Sequence, residues 1–212
     1  MRWAFEALKA YGVGIQLTPG NEPSPGFDAC LQRAGIPVRS HHGFDFQHRS
    51  VPVWDVDGGC LVRASSVHPP RCGALTSTSF EAWLETHGKR EVLETMYPGY
   101  WLGNEVELVA AMQRGIQLAV DVSHLWIQRM SGAASEAALK RVMDYEHVIE
   151  VHVSHNDGRS DSHRLLELDT YALHWAKERL QDNTCVIYEA YWHRIDGETR
   201  ARQVDLMLEA LS

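Results

Sequence analysis

Six strand-like segments in succession end in side chains that bind metals. IPVRS (36–40) runs into His41 and His42, and LVRASSV (61–67) runs into His68. EVLET (91–95) contains Glu94, and IQLAVD (116–121) ends in Asp121 with His124 three residues on. VIEVHVS (148–154) contains His152, and TCVIYE (184–189) ends in Glu189. The stretch VHVSHNDGRSDSH (151–163) adds Asp161 and His163, while its His155 and Asp157 read as loop residues or partners behind the ligands. Imidazole with carboxylate suits zinc, iron, manganese or cobalt, whereas calcium prefers an all-oxygen shell. So many donors exceed what one four- to six-coordinate ion can use, which points to two or three ions per chain. Taken singly, each residue has a plainer explanation: a lone histidine is usually a surface or satisfied core residue, and an aspartate often caps a loop. Carboxylates at the ends of apolar strands are harder to dismiss, because a buried charge is costly unless paired or metal-bound.

The elements that would position these groups alternate along the chain. A further strand candidate, VGIQL (13–17), precedes the six, and several are rich in β-branched residues, as buried parallel strands are. Helical patterns lie between them at FEAWLETH (80–87), NEVELVAAMQRG (104–115), SEAALKRVMDYE (135–146) and LLELDTYALHWAKERL (165–180). ETRARQVDLMLEAL (198–211) closes the chain. Asn104 and Ser135 read as N-caps and Gly115 as a stop. Such alternation predicts parallel βαβ units. Two wrappings are open, a doubly wound sheet or a closed barrel. VGIQLTPGNEPSPG lacks the dinucleotide glycine spacing, which weakens the first. In a parallel barrel all strand C-termini converge on one face. The expectation is a single (β/α) TIM-like barrel domain over residues 1–212.

Composition excludes some partners. The chain has 212 residues, 44% hydrophobic and 23% charged, with a formal charge of −8. No Lys/Arg run exceeds two residues, so nucleic acid, which needs a basic surface, is disfavoured. No apolar run is long enough to span a bilayer, and the first residues do not read as a signal peptide. Cys30, Cys60, Cys72 and Cys185 form no C-x-x-C pair, which reads as reduced thiols in a cytoplasmic protein.

The order His41 or His42, His68-Pro69, Glu94, Asp121-x-x-His124, His152, Asp161-x-His163, Glu189 resembles the xylose isomerase-like and endonuclease IV-like TIM-barrel superfamily. It covers residues 36–190. In endonuclease IV-like enzymes the matching positions bind three zinc ions, which implies that Glu94 bridges two ions and the Asp161–His163 pair holds a third. The VHVSH stretch, Asp161-x-His163 and the strand ending at Glu189 also resemble the methanobactin-oxidase-like multinuclear iron enzymes. In the sugar isomerase and epimerase branch, Glu94, Asp121, His152 and Glu189 would hold one divalent metal, with His68, His124 and His163 left as substrate contacts or spectators.

The chain departs from these relatives in two ways. No strand precedes the helix-like RWAFEALKAYG (2–12), so the barrel is expected to lack its first strand and to have about seven. Its open seam would be closed by Val13–Leu17 pairing across it, or covered by a second copy or a partner chain, because bare sheet edges are rare. The short loop between His152 and Asp161 leaves little room for DNA-facing loops. Iron-dependent oxidation of a peptide or small molecule therefore ranks first, since it uses every ligand. Sugar isomerisation or epimerisation ranks second and zinc phosphodiester hydrolysis third, with Glu94, Glu189 and His124 as the groups expected to do chemistry. Zinc, iron and manganese all accept this donor set.

Tyr97, Tyr100, Trp101, Trp126, Tyr191 and Trp192 follow the same strand ends and would either wall a substrate pocket or pack the loops. Arg159 and Arg164 flank the Asp161–His163 pair and would meet a substrate anion or pair locally. His48, His87, His147, His174 and His193 fall off the pattern.

Overall fold

The computed structural model describes residues 5, 6, 9, 13–18, 23–42 and 52–209. Its elements are β1 (Ile15–Leu17), α1 (Pro25–Ala34), β2 (Val38–His42), β3 (Ser66–Val67), α2 (Phe80–Thr86), β4 (Leu93–Glu94), α3 (Glu105–Gln113), β5 (Leu118–Asp121), α4 (Val122–Ser131), α5 (Glu136–Met143), β6 (Val148–Val153), α6 (Leu173–Gln181), β7 (Cys185–Tyr188) and α7 (Gly197–Leu208). All seven expected strands are present, every pairing is parallel, and the spatial order is β1 to β7 without a break. A doubly wound sheet reverses direction at a switch point; this one never does. It curls one way, as a TIM-like barrel lacking one strand.

Alternation within the strands separates two layers. Val67, Leu93, Leu118, Val120, Val151 and Val153 belong to one apolar cluster with Leu84, Leu108, Leu125 and Leu139 of the surrounding helices. The alternate residues, Ser66, Glu94, Asp121, Glu150 and His152, are buried too but polar. Because strand side chains point to opposite faces in turn, the apolar set covers the outside of the sheet and the polar set fills its interior. The helix–sheet layer supplies the hydrophobic stabilisation, so the interior is left for chemistry.

Two caps follow the expected chemistry. Asn104 Oδ1 accepts from Glu107 N at 3.1 Å and Ser135 Oγ from Ala138 N at 3.2 Å, each satisfying an orphan amide of its helix. Other expectations need correction. The segment 61–67 contributes only two residues to the sheet, because Leu61 N donates instead to Val53 O in an antiparallel contact. Helix α6 begins at Leu173, not at 165: Leu166 N is held by Tyr188 Oη and Gln203 Oε1, Glu167 N by Thr170 Oγ1, and Ala172 takes a left-handed φ of 54°. The left-handed Ala172 breaks any helix running through it, and the tight turns Thr170 N to Glu167 O and Leu173 N to Thr170 O take the place of helical bonds. Helices α1 and α4 were not expected. Helix α4 follows β5 with no loop, since Asp121 ends the strand and caps the helix in one residue.

Among the described residues no ladder joins β1 to β7, so Ile15–Leu17 does not pair across the seam. The edges nevertheless approach at the mouth, where Gln16 Nε2 lies 3.4 Å from Glu189 Oε1. No described helix is long and apolar enough to cross a membrane.

Candidate metal centre

Glu94 stands at the end of β4 and its carboxylate faces four imidazoles. His41 Nε2 lies 3.0 Å and His68 Nε2 3.2 Å from Oε2, His152 Nδ1 lies 3.5 Å from Oε2, and His124 Nδ1 lies 3.1 Å from Oε1. Parallel register brings these residues together: His41 pairs with Ser66, Glu94 with Ala119, and Asp121 with His152. Glu94, Asp121, His124 and His152 are each 1% exposed or less, so their charges cannot be solvated by bulk water.

The remaining expected groups complete a rim above this floor. His124 Nε2 lies 3.2 Å from Asp161 Oδ2 and 3.7 Å from Asp121 Oδ2. His163 connects Asp161 Oδ2 at 3.3 Å to Glu189 Oε2 at 3.4 Å, and His152 Nδ1 lies 3.2 Å from Glu189 Oε1. The Asp161, His163 and Glu189 side chains keep 14–15% exposure, which makes this the open side. His163 adopts a φ of 43°, a left-handed conformation uncommon for a side chain of its size, as strained residues at functional sites often show.

Of the adjacent pair His41 and His42, His41 enters the cluster. His42, next along the strand and facing the other way, is half-buried and makes no ion-pair contact with it; burial, then His41 and His68, lower its pKa. His155 and Asp157 serve the loop: His155 Nδ1 meets Thr170 Oγ1 at 3.1 Å, and Asp157 accepts from Arg159 N and pairs with Arg164 at 3.4 Å. His48 lies outside the described residues.

Half of the expected aromatic wall is in place. Tyr97 packs edge-on against His124 with ring centroids 4.9 Å apart, Tyr100 lies 6.3 Å from His68, and Tyr191 lies 6.0 Å from His163. Trp101 instead joins Trp83 and Phe80 in the core, Trp126 stacks on Tyr171, and Trp192 packs on Tyr188. Cys72 is exposed, and partial burial, helped by Glu107, raises its thiol pKa.

The donors suit cations. Glu94 Oε2 and Asp121 Oδ2 are buried with no hydrogen-bond partner among the described residues, which in a native interior asks for an unseen partner. Donor atoms gather in separate groups, each within 4.8 Å: His41–His68–Glu94, Glu94–Asp121–His124 and Asp121–His152–Glu189. Glu94 belongs to two of them and Asp121 to two.

Without metal the cluster holds protons. Burial raises the Glu94 carboxyl, but His68, His152 and His41 outweigh it and hold it well below its usual range. Burial pushes Asp121 up to about 6; His124 opposes that, while Glu94, Glu189 and Asp161 add to it. Burial lowers His163, yet Asp161 and Glu189 bring it up to about 9, and carboxylates likewise hold His124 and His152 well above normal. A ring raised from 6.5 to about 9 stabilises the fold fully below pH 6.5 and loses that contribution as pH climbs through 9. Chelator-treated protein should therefore melt at progressively lower temperature from pH 6.5 to 9. A flat or rising melting temperature across that window would show His163 neutral throughout.

Sequence reasoning missed the layer beneath. Buried Glu150 and Ser66, with half-buried Arg39, form a network under the imidazoles, and Thr95 O accepts from His124 Nδ1 at 2.9 Å. Period-two alternation could have found Glu150, a carboxylate two residues before His152 on the same face of an apolar strand.

No protein-family model and no curated protein matches the sequence. Among solved structures, the chain is similar to a candidate xylose isomerase from Rhodospirillum rubrum, at 12% identity over 97% of this chain and 91% of that one, with a TM-score of 0.57. It is also similar to a D-tagatose 3-epimerase-like protein, at 12% identity over 91% and 87%, with a TM-score of 0.51. At such identity these likenesses concern the fold alone, and they agree with a TIM-like barrel. Neither structure is named as a methanobactin-oxidase-like enzyme, so that part of the resemblance gains nothing from them.

Proposed function

We propose that this chain is a metal-dependent enzyme with two or three divalent ions in the barrel mouth, acting on a small polar substrate or a peptide side chain. One observation carries the reading: Glu94 and Asp121 each belong to two of the donor groups, so each carboxylate could serve two neighbouring ions. Bound divalent ions would supply Lewis-acid polarisation of a substrate oxygen. Glu94 would be shared between an ion held by His41 and His68 and a second held by Asp121, His152 and Glu189, while Asp161 and His163, with His124, would hold a third. The chain's own side chains do the rest. Tyr97, Tyr100 and Tyr191 line the entry and present both ring faces and hydroxyls to a polar substrate. Glu189 Oε2, on the exposed rim, is placed to take or return a substrate proton.

The neighbours' names favour a second reading, a single-metal sugar isomerase or epimerase with Glu94, Asp121, His152 and Glu189 as its ligands. Asp121, His152 and Glu189 form one donor group, in keeping with it. Iron-dependent oxidation has no counterpart in those names, and the donor set accepts zinc, manganese and iron alike, so the proposal stops at divalent metal. Elemental analysis of the purified protein separates the two readings. The multinuclear reading expects more than one metal per chain; one or fewer would leave the isomerase.

A further inference from the structure

The structure assigns Glu150 a positioning role: its buried carboxylate sets which nitrogen of His152 and which nitrogen of His41 carries the outward proton, and so aims the other nitrogen of each ring at Glu94. The consequence for cations rests on the metal-centre reading; the ring orientation does not.

Glu150 lies on β6, two residues before His152 and on the same interior face, with its side chain fully buried. The Arg39 guanidinium is bonded to its Oε2. Oε1 receives two bonds, one from Ser66 Oγ at 2.6 Å and one from His152 Nε2 at 2.6 Å. A carboxylate paired with arginine accepts and does not donate, so His152 must present Nε2–H. Its Nδ1 then faces Glu94 and Glu189. The single hydroxyl proton of Ser66 is committed to Glu150, so Ser66 Oγ can only accept from His41 Nδ1, 3.0 Å away. His41 therefore carries its proton on Nδ1 and turns Nε2 to Glu94 Oε2. One carboxylate thus orients two rings on two strands, directly in one case and through a serine in the other. Carboxylates behind metal-binding histidines act in this way.

Glu150, with His41 and His152, also forms a donor group tight enough to suggest an ion of its own. The hydrogen bonds rule against that use. Oε2 is bonded to a cation already, and Oε1 is occupied by two donors, so an ion there would meet a guanidinium and no available lone pair.

The test uses chelator-treated protein and the variants Glu150→Gln and Ser66→Ala, with nitrogen-15 imidazole NMR as the readout. Wild type is expected to show exchange-protected protons on His152 Nε2 and His41 Nδ1. Glu150→Gln should lose protection at both rings, while Ser66→Ala should lose it at His41 alone. Protection unchanged in the variants, or a His41 proton found on Nε2 facing Glu94 with Nδ1 bare, would overturn the assignment. Should Glu150→Gln fail to fold, the selective loss in Ser66→Ala still decides it. Titration with Zn²⁺ then reads the consequence, with affinity about 10–100-fold weaker in Glu150→Gln. Wild type that shows the expected protons yet binds no Zn²⁺ supports the positioning and removes the metal reading instead.

Discussion

Replacing Glu94 with alanine should strip the purified protein of metal while leaving it folded. The carboxylate lies within 3.0–3.5 Å of a nitrogen of His41, His68, His124 and His152, so among the described residues it is the anion that these four rings have in common. Its loss leaves imidazoles facing one another with nothing to bridge them. Removing one partner of a buried ionic group commonly costs about 3–5 kcal/mol, because the other charge is stranded. Here the stranded groups are histidines, which can be neutral where a lysine or arginine cannot, so the stability loss should fall at or below the bottom of that range. The backbone remains anchored by Leu93, which faces the helices and is untouched. Elemental analysis and circular dichroism measured together give the answer: a folded variant retaining its full metal content would show that Glu94 bridges nothing.

Asp121 separates metal binding from stability, because its two oxygens have different work. Oδ1 accepts from Ser123 N at 2.7 Å and His124 N at 3.0 Å, capping α4, while Oδ2 is turned toward the cluster. Asp121→Asn keeps the capping oxygen and puts an amide nitrogen where a cation would bind. It also removes a charge that burial and three neighbouring carboxylates oppose. The chelated Asn variant should therefore melt at or above the wild-type temperature and yet bind less metal. Asp121→Ala loses the cap as well, at about 1 kcal/mol, or roughly 2–4 °C in a chain of this size. Equal metal content in the Asn variant and wild type would remove Asp121 from the ligand set. Equal melting temperatures for Ala and Asn would show that the cap contributes nothing.

Much of this was legible from residue order. Donors at the ends of successive β-branched segments imply parallel strands with their C-termini on one face, and the seven strands and their converging ends follow from that pattern. Boundaries were less legible where side chains compete with the backbone. Periodicity alone assigns residues 165–172 to a helix, but tertiary bonds from Tyr188 and Gln203 hold Leu166 and a left-handed Ala172 breaks the run. His124 reads as a loop residue beyond a strand, yet stands in the first turn of α4, because Asp121 both ends the strand and caps the helix.

By itself the sequence determined the chemistry available: nine acidic and imidazole donors and a barrel-type alternation. Those properties depend on residue type and local spacing, which are written along the chain. Only the tertiary structure decided between His41 and His42 and brought Glu150 beneath two rings on different strands. Such decisions depend on parallel register and on which donor a buried oxygen meets. Arg39 and Glu150 are 111 residues apart in the chain, and no local pattern carries that contact; it exists because β2 and β6 curl to face each other across a polar interior.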